Sequence, residues 1–323
     1  MRLLIVVSLL LTGTVLSQPA RGILKDTTIQ GPVLQIDEDQ YYGKNLDSTA
    51  FRYIYKFDGQ GNILQESQFE KDDFKLRWTR KYDDNGNLLE HIRNNDFREV
   101  DKDSFAYDDQ NNLIFEGKNI GASFPKTSIY RYDDEGRKIR EEKYVSDNHK
   151  GTYYYNYEGD NMTMVEMLKD GNKKSIEWNV YDRLGRIKKS TKLIEKRNGN
   201  QDTCVINYSY QPNGKTTEDG CKPETERLLF NDRGQIVKEE RTRKTKRGVT
   251  NSTIERSYND QGQVIEQSFS SQPEDPDKSY SSAKSFEYVY DKYDNWTELL
   301  WYKIEDGEKE VYMKFVRDIT YKE

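Results

Sequence analysis

The feature that most constrains the fold is the stretch at 130–141, Tyr-Arg-Tyr-Asp-Asp-Glu-Gly-Arg-Lys-Ile-Arg-Glu, because degraded copies of it recur from residue 51 onward. An aromatic residue followed by Asp-x-x-Gly and an aliphatic residue is typical of a strand entering a three-residue hairpin loop. The Asp side chain accepts hydrogen bonds within the turn, and Gly adopts the positive φ that a Cβ would oppose. Each copy therefore predicts one β-hairpin.

The copies align on the aromatic residue before the Asp position, with successive spacings of 25, 25, 25, 25, 24, 29, 20, 28 and 32 residues. A period near 25 indicates a repeat array. Where Gly is missing, Asn or Asp replaces it, and these residues best tolerate left-handed φ after Gly. The aligned aromatic residues are Phe57, Tyr82, Tyr107, Tyr132, Tyr157, Tyr181, Tyr210, Phe230, Tyr258 and Tyr290. The structural turn residues are Asp58, Gly61, Asp83, Gly86, Asp133, Gly136, Asp182, Gly185, Gly234 and Gly262. The Gly position of the remaining copies is assigned to Asn111, Asn161, Gly214 and Asp294.

Ten repeats of two strands each imply about twenty strands within residues 51–323. Open twisted sheets rarely exceed about ten strands without curling or splitting. We therefore expect an all-β domain, an array of about ten hairpins forming one long, curled or spiral antiparallel sheet. The loop type also predicts register: Tyr82 should face Leu88 across its hairpin, and such aromatic and aliphatic pairs should form a core stripe on one face.

The pattern Tyr-x-Tyr-Asp-x-x-Gly-Arg/Asn-x-Ile/Leu resembles the tyrosine-aspartate (YD) repeat of the Rhs family of bacterial secreted and cell-surface proteins, over about residues 51–321. The resemblance implies hairpins that wind into one long curled sheet, which in some members forms a shell around a toxin. This chain is short, has no recognisable toxin segment after its last repeat, and carries Glu158 and Gln211 at two Asp positions. An encapsulating toxin carrier is therefore not expected.

The first 50 residues lack the repeat. Residues 1–17 are interpreted as a secretory signal peptide, because one Arg precedes an apolar run too short to span a bilayer. Residues 18–50 are interpreted as a linker or edge segment. No other stretch has the apolar length of a transmembrane helix. We therefore predict an exported protein located in the periplasm, at the cell surface or outside the cell.

Charge and cysteine content exclude several classes of function. The 51 basic and 57 acidic side chains are interspersed and give a formal net charge of −6, so nucleic acid is not a predicted partner. With only two His and two Cys, the chain has no recognisable zinc site, and it shows no cofactor-binding motif. A glycosidase needs only two carboxylates, so an enzyme stays an alternative. The recurrent Asp gives that alternative no support, because it serves the turn.

The two cysteines, Cys204 and Cys221, lie in one hairpin of a chain expected to be exported, where disulfides form. A two-residue loop at Pro212-Asn213 would place them directly opposite each other. The three-residue loop of the other repeats would place them on opposite faces. We favour the disulfide, and both registers stay open.

The tryptophans divide by position. Counting from the nearest repeat positions places Trp78 and Trp296 on the stripe face and Trp178 and Trp301 on the other face. An exposed aromatic residue on a curved sheet can stack against a sugar ring or a protein partner, so Trp178 and Trp301 are the candidate ligand-binding residues. The alternative is that the second face is also packed.

These patterns favour an exported, non-enzymatic repeat protein whose sheet is a binding or scaffolding surface for a cell-envelope glycan or a surface protein, without a cofactor. One alternative is an enzyme that acts on polysaccharide through paired carboxylates. Another is an accessory or immunity partner of a larger Rhs-type toxin.

Overall fold

The computed structural model describes residues 29–43, 46, 49–95, 99–119, 124–195, 199–246 and 248–322. The predicted signal peptide at 1–17 lies outside these residues. Within them the chain forms 22 β-strands, one 3₁₀ turn at Pro276–Lys278 and no α-helix. The strands are β1 (Val33–Tyr42), β2 (Thr49–Phe57), β3 (Ile63–Glu70), β4 (Asp73–Tyr82), β5 (Leu88–Asn94), β6 (Glu99–Tyr107), β7 (Leu113–Lys118), β8 (Lys126–Tyr132), β9 (Lys138–Val145), β10 (Asn148–Glu158), β11 (Asn161–Lys169), β12 (Asn172–Tyr181), β13 (Ile187–Glu195), β14 (Gln201–Gln211), β15 (Gly214–Asp219), β16 (Glu224–Phe230), β17 (Ile236–Thr245), β18 (Gly248–Tyr258), β19 (Val264–Pro273), β20 (Tyr280–Tyr290), β21 (Trp296–Glu305) and β22 (Glu308–Tyr321).

Each strand pairs antiparallel with the next, and β1 also pairs with β22, so the sheet closes into a barrel. The predicted all-β class is confirmed. The expectation of an open curled or spiral sheet is wrong, because the sheet has no free edge. Closure depends on β1, which lies in the segment that the sequence assigns to a linker or edge. Ile36 in β1 lies opposite Tyr55 on one side and Ile319 on the other.

The Asp-x-x-Gly turns are held by the Asp side chain. Asp58 Oδ1 accepts hydrogen bonds from the backbone N–H groups of Gln60 at 2.8 Å and Asn62 at 2.9 Å, and Gly61 adopts φ +88°. The same side chain satisfies two backbone donors that the bend would otherwise leave unpaired. Equivalent bonds to the backbone N–H two and four residues on form at Asp83, Asp108, Asp133, Asp182, Asn231 and Asp291.

Two copies use a different loop. Glu158 pairs with Asn161, and Gln211 pairs with Gly214, so each hairpin has a two-residue loop. The positive φ expected at Asn161 falls on Gly159 instead, at +57°, and Gly214 is not in the left-handed region. Those two turn assignments are wrong. The short Asp and Asn side chains reach the N–H groups of the turn in the other copies. Glu and Gln are one methylene longer than Asp and Asn, respectively, which is a physical reason for the different loop.

The predicted register is confirmed, with Tyr82 opposite Leu88. The pairing then shifts by one residue, because Lys81 faces Glu90 and Leu89 is left as a bulge. A bulge inserts one extra residue and reverses the side-chain parity of the strand beyond it. Most of the Asp-x-x-Gly hairpins carry this bulge. A residue on the second strand of the hairpin, beyond the bulge, therefore lies on the opposite face from the one predicted by counting residues from the turn.

The repeat tyrosines have hydroxyl partners as well as half-buried rings. Tyr82 Oη donates to the Ile63 carbonyl at 3.0 Å, and Tyr132 Oη donates to the Leu113 carbonyl at 2.8 Å. Each acceptor is the first residue of the strand that leaves the preceding turn. The hydroxyl therefore ties each hairpin to the one before it. The same bond joins Tyr157 to Lys138, Tyr181 to Met162, Tyr210 to Ile187 and Tyr258 to Ile236.

One face of the sheet carries the aligned aromatic residues, and we call it the inner face. In the described residues, every buried apolar side chain except Ile176 lies on it. Side chains on the concave face of a closed sheet lie closer together than those on the convex face, and on this ground we take the more buried aromatic face as the one that lines the inside of the ring. The buried apolar side chains form two clusters near the point where the ring closes, one around Ile36 and Tyr55 and the other around Trp296 and Phe315. The expectation that Trp78 and Trp296 are core residues is confirmed.

Candidate binding surface on the inner face

The inner face of β8 to β10 carries a group of tyrosines that we call the tyrosine wall. Residues two apart on a strand point to the same face, so β10 presents three rings in a row and β8 presents two. All five side chains are half-buried. The wall consists of Tyr130, Tyr132, Tyr153, Tyr155 and Tyr157.

Glu141, on β9, lies at the centre of the wall. It pairs with Tyr130 on one side and Tyr153 on the other. Its carboxylate accepts hydrogen bonds from Tyr155 Oη at 2.5 Å and from Lys138 Nζ at 3.0 Å, and forms an ion pair with Lys143 Nζ at 3.0 Å. Burial alone would raise the pKa of Glu141, but these donors outweigh it and the pKa is lowered. Glu141 is therefore ionised at neutral pH.

The two lysines also lie over the rings. Lys138 Nζ is 4.5 Å from the Tyr155 ring centroid and 5.4 Å from that of Tyr130. Lys143 Nζ is 4.7 Å from the Tyr153 centroid. Cations at this distance are attracted to the ring faces. The wall thus combines fixed aromatic rings with an ionised acceptor and two ammonium donors.

A second carboxylate, Glu116 on β7, accepts from Tyr130 Oη at 3.0 Å. Burial, and after it the Glu116 charge, raises the pKa of Tyr130, so this phenol keeps its proton. Glu116 pairs with Ser128 and Glu141 pairs with Tyr130, so the two glutamates lie two strand spacings apart and two residues apart along the strands, about 12 Å between Cα atoms. A glycosidase needs one carboxylic acid with a raised pKa, whereas the pKa of Glu141 is lowered. Glu141 is therefore placed as a hydrogen-bond acceptor and not as a general acid.

The predicted ligand-binding tryptophans are not brought together. Trp178 lies on the outer face of β12, 37% exposed, opposite Met164 and Thr191. Trp301 lies on the inner face of β21, with its ring centroid 5.9 Å from that of Phe286. The predicted face of Trp301 is wrong, because the bulge at Thr297 reverses the count. A ligand at either ring stays a prediction.

The cysteines lie on the inner face, where a disulfide joins Cys204 to Cys221 with 4.9 Å between the Cα atoms. The two-residue loop at Pro212-Asn213 gives the register that places them opposite each other. The two histidines lie on different strands, His91 on β5 and His149 on β10. Among the described residues, no group of three or more His, Cys, Asp or Glu is placed to hold a metal ion.

The sequence does not single out the tyrosine wall, because its tyrosines read as core residues of the repeat. The available signal is local: Tyr153, Tyr155 and Tyr157 alternate on a strand that follows Glu141 and Lys143. Only strand pairing brings β8, β9 and β10 into one surface.

Comparisons with known proteins give structural likenesses only. No protein-family model matches the chain, and no curated protein matches it. A crystal structure of TcdB2-TccC3-Cdc42 matches 80% of this chain and 16% of that chain, with 11% identity and a TM-score of 0.38. This chain thus spans about a sixth of the length of that protein.

Porin-like proteins from two Bacteroides species also match. The structure from Bacteroides uniformis matches 90% of this chain and 98% of that chain, with 11% identity and a TM-score of 0.26. The structure from Bacteroides vulgatus has the same coverage and identity, with a TM-score of 0.21. At TM-scores below 0.5, none of these likenesses assigns a function to this chain. The part of the chain that the structure describes contains no helix with the length and apolar character needed to cross a membrane.

Proposed function

We propose that this protein is an exported, non-enzymatic binding protein, and that its tyrosine wall binds a cell-envelope polysaccharide. The observation that carries the proposal is the ionised Glu141 held among half-buried tyrosine rings and lysine ammonium groups. Export rests on the predicted signal peptide at 1–17.

Sugars present two kinds of surface, and the wall has a partner for each. The C–H face of a sugar ring is apolar and packs on aromatic rings, while its hydroxyls need fixed donors and acceptors. Tyr153 and Tyr155 supply rings whose orientation is set by cross-strand contacts. Glu141 supplies the acceptor, and Lys143, which is 45% exposed in its side chain, supplies a donor.

A matched pair of variants on one strand tests the proposal. Tyr153→Ala removes an inner ring, whereas Tyr154→Ala removes the neighbouring ring on the outer face, which is 38% exposed. A glycan array of residues 18–323 would first identify the bound polysaccharides, and calorimetry would then compare the variants. We expect about a tenfold loss of affinity for Tyr153→Ala, equivalent to about 1.4 kcal/mol, and none for Tyr154→Ala. Equal losses, or no bound polysaccharide, would contradict the proposal.

A product assay separates binding from turnover. The proposal expects no new reducing ends when the protein is incubated with the bound polysaccharide. Products that disappear in Glu141→Gln or Glu116→Gln would favour the polysaccharide-acting enzyme instead. Co-purification with a toxin would favour the accessory or immunity function.

A further inference from the structure

Three basic side chains form a second polar block on the inner face, at β4 and β5. Arg80 lies directly opposite His91, and Arg93 is two residues farther along the strand that carries His91. Directly opposite residues have Cβ atoms about 5 Å apart. The three side chains are 19%, 28% and 30% exposed, in the order Arg80, His91, Arg93. The block is therefore partly accessible from the inside of the barrel.

The flanking strands each place carboxylates beside the block. On β3, Glu66 Oε2 is 3.4 Å from Arg80 Nη2. On β6, Asp101 lies opposite Arg93 and Asp103 lies opposite His91. Asp101 Oδ2 is 2.5 Å from Arg93 Nη2, and Asp103 Oδ2 is 3.7 Å from His91 Nδ1. Each basic group thus lies beside a carboxylate of a neighbouring strand.

The three basic side chains also carry buried nitrogen atoms without a hydrogen-bond partner in the structure: Arg80 Nη1, Arg93 Nε and His91 Nε2. Unpartnered buried polar atoms are costly and uncommon in native proteins. Three of them converge here on one face of two neighbouring strands. Other atoms of each side chain already reach the inner surface, so a ligand that contacts them needs only a change of side-chain torsion to engage the buried nitrogen.

The net charge of the block disfavours binding of an anionic ligand. Burial, and after it the Arg80 charge, lowers the pKa of His91 despite the nearby Asp103. His91 is therefore neutral at neutral pH. Two guanidinium groups then face three carboxylates, Glu66, Asp101 and Asp103, so the block carries a small negative balance.

We infer that Arg80, His91 and Arg93 form a subsite for the hydroxyl groups of a neutral sugar, so that the polysaccharide bound by the inner face is uncharged along this part. A hydroxyl group both donates and accepts. The two arginines offer N–H donors, and a neutral imidazole with its proton on Nδ1, toward Asp103, leaves Nε2 as an acceptor. Adjacent sugar hydroxyls match this alternation of donor and acceptor. The inference rests on the proposed function and narrows it to a class of ligand.

The two histidines make a direct experiment possible. The sample is residues 18–323 labelled with ¹⁵N at histidine. His91, on β5, reports on the subsite, and His149, the second residue of β10, is an internal reference. The probes are cellohexaose and maltohexaose as neutral sugars, and oligogalacturonate and sulfate as anions. We expect a neutral hexasaccharide to shift the ring resonances of His91 and not those of His149.

Substitutions test the donors. Arg80→Met and Arg93→Met should weaken binding of the neutral hexasaccharide about tenfold, whereas Arg131→Met, on the exposed outer face of β8, should not. Arg80→Lys keeps the charge and loses the planar fork, so it should also weaken binding while leaving the thermal midpoint unchanged. That variant separates a lost contact from a lost fold.

The outcomes distinguish the inference from the proposed function. If sulfate or oligogalacturonate shifts His91 and raises its pKa while neutral sugars do not, the subsite binds anions and the inference is overturned. If a polysaccharide binds and Tyr153→Ala lowers its affinity, but the His91 resonances do not shift, the tyrosine wall is supported as a binding surface and the subsite is refuted. If no polysaccharide binds at all, both fall.

Discussion

Glu38 on the first strand and Arg317 on the last form a buried ion pair where the ring closes: Glu38 Oε2 is 2.9 Å from both Nε and Nη2 of Arg317. The two side chains are 0% and 2% exposed. The Arg317 guanidinium carbon also lies 3.3 Å from the centre of the Trp296 ring. The contact that joins the ends of the array is therefore made by a segment that lacks the repeat motif.

Glu38→Ala should destabilise the protein strongly, because it leaves a buried guanidinium without its counter-ion. Breaking a buried pair from one side costs about 3–5 kcal/mol. The control is Asp39→Ala, which removes the half-exposed pair to Arg52 on the opposite face and should cost less than about 1 kcal/mol. Urea unfolding monitored by tryptophan fluorescence measures both. Equal losses of unfolding free energy in the two variants would show that the ion pair does not stabilise the pairing of β1 with β22.

Tyr132→Phe should remove the hydroxyl bond to the Leu113 carbonyl and keep the ring. A lost hydrogen bond of this kind costs about 1 kcal/mol. Tyr154→Phe, at an exposed ring on the outer face, should be close to neutral. The comparison is read from urea midpoints, and a neutral Tyr132→Phe would mean that hydroxyls do not link neighbouring hairpins.

Alanine substitutions at two glycines of one turn distinguish the effect of backbone strain on stability from the effect of steric crowding. An added Cβ meets no heavy atom within 4 Å at either Gly59 or Gly61, but only Gly61 has positive φ, at +88°. Gly61→Ala should therefore cost about 1 kcal/mol, whereas Gly59→Ala should not. Thermal unfolding by circular dichroism would reveal the difference, and identical midpoints would argue against a left-handed requirement.

Low pH should destabilise the protein by protonating the Asp side chains of the turns. Hydrogen bonds from the Arg186 backbone and side chain hold the pKa of Asp182 below its usual value, and the pKa values of Asp83 and Asp108 are also lowered. A carboxylate with a lowered folded-state pKa contributes stability above its unfolded pKa, about 4, and loses it as pH falls through the folded value.

The variant Asp182→Asn isolates this contribution. Asn231 makes the same turn bonds with a neutral side chain, so the variant should keep the turn and lose part of the pH dependence. Urea midpoints between pH 7 and pH 2.5 should fall less steeply for the variant than for the parent protein. Parallel curves would mean that this Asp does not contribute to acid unfolding.

The disulfide should add stability by restricting the unfolded chain. Its loop spans 17 residues, which corresponds to about 3 kcal/mol in the chain-entropy treatment. The double variant Cys204→Ser, Cys221→Ser should lose about that amount. Mass spectrometry of the secreted protein should find no free thiol at either position, and two free thiols would remove the basis of this expectation.

Local features were the predictable part of the fold. A turn is determined by a few adjacent residues, so Asp58 and Gly61 could be assigned from their types and spacing. The bulge after each turn, such as Leu89, could not, because it is a property of two paired strands. That is why the count from Asp294 placed Trp301 on the wrong face.

Closure and the candidate site depend on contacts that are distant in sequence. Nothing near residues 33–42 signals that Glu38 meets Arg317, almost the full length of the chain away. The tyrosine wall could likewise not be predicted from the sequence, because Glu141 and Tyr155 form their hydrogen bond only when β9 and β10 are paired. The residue types were visible in the sequence, but their neighbours across strands were not.

The pairing of β1 with β22 also restricts how proteins of this form can vary in size. In a ring where every strand runs opposite to both neighbours, the number of strands must be even, and the described residues supply 22. Gain or loss of one whole hairpin preserves that parity and changes the circumference by about 10 Å. Loss of a single strand would force two neighbours to run in the same direction at some point in the ring. Copy number in such a ring is therefore expected to change by entire repeats, never by half of one.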